Sequence, residues 1–127
     1  MSGVVLDTSA VLALLQDEPG GDVVAEVIGV GVVSAVNSAE VLTKLIRDGM
    51  PPAEAKMALE FCAPVVIAFD SEQAEVAAEL IRLTQPFGLS LGDRACLALA
   101  IAKGAPVYTA DRAWSELGVG VEVRLVR

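Results

Sequence analysis

Histidine is absent from the sequence, and cysteine occurs only twice, at Cys62 and Cys96. Without an imidazole, Ser-His-Asp and Cys-His nucleophile systems are excluded. The usual Cys/His zinc site goes with them, because the two cysteines lie far apart and form no CxxC pair. Both cysteines have apolar neighbours and read as small core residues in a reducing compartment. Basic residues are also scarce: nine Lys and Arg stand against seventeen Asp and Glu, a net charge of −8. That balance argues against gripping nucleic acid by general electrostatics. Long apolar runs are missing too. The longest charge-free stretch, Val27–Ala39, has thirteen residues and includes Gly29, Gly31 and Asn37, whereas a membrane span needs about twenty apolar residues. The N-terminus, MSGVVLDTSAVLALL, has no basic segment, and Asp7 interrupts its apolar run, so it makes a poor signal peptide. The expectation is a soluble cytoplasmic protein forming a single domain over residues 1–127, long enough to bury a core without staples. Any chemistry must come from carboxylates, hydroxyls, Lys or Arg.

What the chain does have is apolar residues, 54% of the total. Val-rich runs at Gly3–Leu6, Val30–Ser34, Val65–Phe69, Val107–Thr109 and Val121–Val126 read as strands covered on both faces. Helical stretches separate them: Thr8–Gln16, Asp22–Ile28, Ser38–Arg47, Ala53–Phe61, Ser71–Thr84, Asp93–Lys103 and Arg112–Leu117. Gly49, Gly104 and Gly118 stand where helices should stop, and Pro51 and Pro52 suit a helix start. The alternation predicts an α/β fold of three layers, α/β/α, with a five-stranded parallel sheet and right-handed crossovers. In such sheets the functional crevice lies outside the carboxyl ends of the strands.

Four acids fall at that edge. Asp7 ends the first strand in VVLD, and Asp111 ends the fourth in VYTAD. Glu40 lies early in the helix after the second strand, in NSAEVLTKLI. Asp93 opens the helix before the fourth strand, in SLGDRACLALA. Each alone has a plain structural reading. Asp7 and Asp111 suit N-caps, Asn37-x-x-Glu40 and Ser90-x-x-Asp93 resemble capping boxes, and a first-turn acid is stabilised by the helix dipole by about 0.3–1 kcal/mol. Ser, Thr or Asn would cap equally well, so capping does not explain four acids at four helix entrances. Carboxylates brought together repel one another and raise each other's pKa, which a cation would offset. An all-oxygen donor set selects Mg²⁺ or Mn²⁺. Four acids held on cations would leave thirteen acids against nine bases, so the net charge does not decide the matter.

VLDTSA, NSAEVLTKL, LSLGDRACLALA and VYTADRAW resemble, in order and spacing, the four acidic motifs of PIN-domain ribonucleases. The resemblance spans nearly the whole chain and is strongest to VapC-type toxins of toxin–antitoxin pairs. It implies a PIN-like fold, endonucleolytic cleavage of RNA dependent on Mg²⁺ or Mn²⁺, inhibition by a cognate antitoxin, and a homodimer. Asp7, Glu40 and Asp93 would be ligands of the principal metal and Asp111 a further one. Thr8, Ser9 and Thr109 fall where the family places polar groups that support the acids, although Thr8 and Ser9 would equally satisfy a first helical turn. Lys44, Arg47, Arg94 and Arg112 are the cations available for RNA contact, with surface charge as the alternative, and for Arg94 an ion pair. Trp114 could stack on a base or belong to the core. The stripe Ala74, Ala77, Leu80, Ile81 and Thr84 could pack on the sheet or form a dimer face.

Two rival readings follow from the same residues. A phosphatase with an aspartyl nucleophile would use Asp7, but it usually wants a second acid two residues on, where Ser9 stands, and it gives Glu40 no role. A non-catalytic acidic module would bind a basic partner without needing metal. A dinucleotide site is disfavoured, since GVG at Gly29–Gly31 precedes a strand instead of following one.

Overall fold

The computed structural model describes residues 3–127. Five strands form one parallel sheet: β1 (Val4–Leu6), β2 (Gly31–Ser34), β3 (Val65–Ile67), β4 (Val107–Thr109) and β5 (Val123–Leu125). Their spatial order is β3-β2-β1-β4-β5. The chain winds outward from β1 to β3 and then returns to the other side of β1, so the direction of winding reverses between β1 and β4. Loops leaving two such strands diverge and open a crevice at their carboxyl ends. The seam is held by Val5 N–H on the Pro106 carbonyl at 2.9 Å and Asp7 N–H on the Tyr108 carbonyl at 3.2 Å.

Successive strand residues point to opposite faces, and here both faces are covered. On one side Val4, Leu6, Val33 and Tyr108 pack with α1 (Thr8–Leu15), α2 (Gly21–Ala25), α3 (Ala35–Arg47) and α4 (Pro52–Cys62). On the other, Val5, Val32 and Val107 pack with α7 (Leu91–Lys103), with Leu80 and with Trp114. This is the expected three-layer arrangement. Cys62 and Cys96 are free and buried, one in each core. β3 departs from the expectation of full cover, because Val65 and Val66 on this edge strand are each 46% exposed.

The helix boundaries shift where capping chemistry decides them. Helix α3 begins at Ala35, with Ser34 as N-cap accepting from Val36 N–H. Asn37 and Glu40 therefore lie inside the helix, and Glu40 is in its second turn; the pair is not a capping box. At α7 the box is present, but Ser90 is the cap, so the helix starts at Leu91, ahead of Asp93. Gly104 ends α7 in the left-handed conformation, whereas near Gly118 the positive φ falls on Gly120. The stretch Ser71–Thr84 divides into α5 (Ser71–Glu79) and α6 (Ile81–Thr84). Thr84 Oγ1 donates to the Leu80 carbonyl at 2.9 Å, a back-bond of the kind that bends helices. The buried stripe there is Gln73, Ala77, Leu80 and Thr84, while Ala74 and Ile81 face outward. After β4 the expected helix is a short 3₁₀ turn, Arg112–Glu116.

Candidate functional site

Asp7, Glu40, Asp93 and Asp111 line one cleft of about 380 Å³ at the carboxyl edge of the sheet, together with Thr8, Ser9, Leu12, Lys44 and Arg47. Four different elements deliver the acids. Asp7 leaves β1 and caps α1, its Oδ1 accepting from Ala10 N–H at 2.8 Å. Ser9 Oγ donates to the same oxygen at 2.7 Å, and Thr109 Oγ1 donates to Oδ2 at 2.5 Å. Thr109 Oγ1 in turn accepts from Asp111 N–H, and Ser9 Oγ from Ala110 N–H. Two hydroxyls thus tie the exit of β4 to the exit of β1.

Glu40 reaches the cleft from α3. Its Oε1 accepts from Thr8 Oγ1 at 2.5 Å and from Asn37 Nδ2 at 2.9 Å. Thr8 and Ser9 therefore spend their hydroxyls on the acids. Asp93 Oδ2 accepts from Ser90 N–H at 3.0 Å, and Asp111 Oδ1 from Ala113 N–H at 3.0 Å. Glu40 Oε2, Asp93 Oδ1 and Asp111 Oδ2 accept from no donor among the described residues. Asp7 Oδ2 has one donor and room for a second contact.

The electrostatics mark the cleft as costly for anions. Burial pushes the Asp7 carboxyl up to about 6 against the pull of its three donors, with the charge of Asp93 adding to the rise. Asp93 is raised as well, first by burial and then by Glu40 and Asp111. Beneath them, burial and the charges of Asp7, Asp93 and Glu40 hold the Cys96 thiol well above its ordinary range. The acids are close enough to feel one another, yet no three Asp, Glu or Cys side chains among the described residues are gathered as a bound ion would require. The donor set fits a hard divalent cation, being all oxygen, with an unused acceptor site on each carboxylate and a net anionic charge to offset.

The cations divide. Lys44 and Arg47 line the cleft. Lys44 is partly neutralised by Asp48 at 2.7 Å, whereas Arg47 makes no ion pair among the described residues. Arg94 is turned the other way: its Nη1 donates to the Ala77 carbonyl at 2.8 Å, and it forms no ion pair among the described residues. The contact with α5 stands in place of the expected ion pair, and Arg94 is not part of the cleft lining. Arg112 is exposed and lies outside the cleft lining. Trp114 is completely buried, so it belongs to the core and cannot stack on a base. Two residues at the site escaped sequence reasoning. Asn37 reads as a helix cap, and Gly92 offers no functional group, but both touch Glu40. The i, i+3 spacing of Asn37 and Glu40 inside a helix was the available signal.

The chain belongs to the PIN-domain family, whose sequence profile matches residues 4–120. Solved structures agree on the fold. A toxin–antitoxin complex from Klebsiella pneumoniae superposes with a TM-score of 0.77 at 18% identity, covering 98% of each chain. DNA-bound VapBC from Salmonella typhimurium gives 0.73 at 15% identity over the full length of both. VapC20 of Mycobacterium tuberculosis, a sarcin–ricin-loop-cleaving toxin, gives 0.71 at 24% identity, covering 94% of this chain and 99% of that one. The chain has no significant match among curated protein sequences.

Proposed function

We propose that this chain is an endoribonuclease dependent on Mg²⁺ or Mn²⁺ and the toxin of a toxin–antitoxin pair. The observation that carries the reading is the meeting of Asp7, Glu40, Asp93 and Asp111 in one cleft at the point where the sheet reverses its winding. Asp7, Glu40 and Asp93 would hold the principal cation, and Asp111 would add a further ligand. When bound, the cation supplies positive charge against the phosphoryl oxygens and acidifies water. The chain's own residues do the rest. Thr8, Ser9 and Thr109 orient the carboxylates, and Arg47, with Lys44 beside it, offers positive charge to the RNA backbone. Asp93 Oδ1 and Asp111 Oδ2, with no donor of their own, are the candidate acceptors for the proton of the attacking water.

Partners are inferred from surface chemistry and likeness together. Met57 and Phe61, one turn apart on α4, are 68% and 64% exposed and suit an apolar segment of an antitoxin. Val76, Leu80, Leu83 and Ile101, with Glu79 and Arg82 beside them, line a groove of about 630 Å³, which suits a second copy of the chain. The open spacing of the acids favours one rival, an acidic module that binds a basic partner without metal.

One experiment separates them. The purified chain, freed of any antitoxin, is incubated with structured RNAs in Mg²⁺ or Mn²⁺, with and without EDTA, beside Asp93→Asn. Discrete cuts that vanish in EDTA and in the variant are expected. Folded, metal-loaded protein that leaves transfer, ribosomal and messenger RNA intact would favour the binding module.

A further inference from the structure

The Glu40 carboxylate stands at the cleft rim, exposed on the flexible side chain of a helix, and yet it is fixed. Two features outside the acidic set hold it. Asn37 is 1% exposed. Its Nδ2 donates to Glu40 Oε1 at 2.9 Å and to the Gly92 carbonyl at 3.0 Å, with Thr8 Oγ1 at 3.3 Å beyond. All three partners can accept, so only the amino end of the amide can face them. The structure accepts a cost for this: Asn37 Oδ1 is buried and has no partner among the described residues. An orphaned acceptor in the interior is expensive, which marks the donor side as the reason for the residue.

Gly92 supplies the opposing wall. It is buried in the first turn of α7, with no positive φ to demand glycine. A Cβ built there would lie 2.7 Å from both Glu40 Cδ and Glu40 Oε1, and closer still to Oε2; these are its three nearest neighbours. The carboxylate therefore rests flat on the Gly92 backbone, in space that any side chain at 92 would fill.

We propose that Asn37 and Gly92 are positioning residues, a donor and a floor that together fix the Glu40 carboxylate for cation binding. The proposal rests on the metal-nuclease reading above and adds two residues to it. Asn37 sets the rotation of the carboxylate by donating to one oxygen, which leaves Oε2 for the ion. Gly92 sets its depth, and its carbonyl holds Asn37 in turn. The cradle joins α3 to α7, so the carboxylates those helices carry are held in one frame.

The test is a double-mutant cycle on the full chain: wild type, Gly92→Ala, Glu40→Ala and the double variant, each with thermal unfolding in EDTA and Mn²⁺ binding by calorimetry. In EDTA, alanine at 92 should be tolerated better once Glu40 is truncated, because the clash and the broken bonds from Thr8 and Asn37 then disappear. The two changes in Tm should therefore not add. Gly92→Ala should fold yet bind Mn²⁺ at least tenfold more weakly, and should change nothing further in the Glu40→Ala background. Asn37→Ala should weaken Mn²⁺ binding in the same direction, again only while Glu40 is present. Additive Tm changes, or Gly92→Ala binding Mn²⁺ as wild type does, would overturn the cradle. Wild-type protein that binds no Mn²⁺ while the Tm coupling persists would sink the metal reading and leave the steric cradle standing.

Discussion

At the scale of single residues, Asp7 carries the largest conflict between fold and site. Its carboxyl is raised to about 6 from an ordinary value of 3.8, mainly by burial. The folded state holds the proton more tightly than the unfolded chain, so protonation favours folding. That contribution is complete below about pH 4 and is lost as pH rises through about 6, a swing of roughly 3 kcal/mol. In metal-free buffer, urea unfolding of the wild type should show stability falling across this window. Asp7→Asn, neutral throughout, should flatten that slope and match or exceed wild-type stability at pH 7.5. A variant that keeps the slope would assign it to another group. The place of Asp7 at the cleft was legible in the sequence because VVLD ends a Val-rich strand. Asn37 was not, because Asn before a helical run has an ordinary capping meaning, and only the true start of α3 at Ala35 removes it.

At the scale of elements, three of the four acids double as local punctuation. Asp7 and Asp111 are N-caps, and Asp93 completes a capping box. Ser90→Ala removes the acceptor for Asp93 N–H and should cost about 1 kcal/mol, read as a lower urea midpoint at unchanged slope. No loss would mean that the helix is held by packing alone. The same double use explains what was legible. Strand positions and most helices follow from apolar period and from Pro and Gly, so all five strands were placed to within about two residues at each end. The division of Ser71–Thr84 was hidden, since neither Gly nor Pro interrupts it and the bend comes with a threonine back-bond. The contact of Arg94 was hidden for a related reason: sequence shows a charge at a helix entrance but not the Ala77 carbonyl waiting across the interface.

At the scale of the whole molecule, the parallel sheet and its two cores were foreseeable, but the strand order was not. Alternating strands and helices allow several windings, and only the packing of α7 and α5 on one face and α1 to α4 on the other selects β3-β2-β1-β4-β5. That order concentrates acidity at one edge of a protein already at −8. A cation that neutralises the edge should stabilise the entire fold by linkage, by about 2.7 kcal/mol at a hundred times its dissociation constant. Thermal unfolding should therefore shift upward with added Mn²⁺ in the wild type and stay fixed in Asp93→Asn. A midpoint unmoved by millimolar Mn²⁺ in the wild type would count against a cation at this edge.

The seam between β1 and β4 also bears on synthesis. β1 is made well before its neighbour on one side, which consists of residues 107–109, and the last of the four acids is Asp111. A nascent chain carrying Asp7, Glu40 and even Asp93 still lacks the strand that closes the centre of the sheet and the Thr109 hydroxyl that seats Asp7. The cleft is completed only after residues 107–111 have emerged. Whatever the cleft does must wait until those residues are in place.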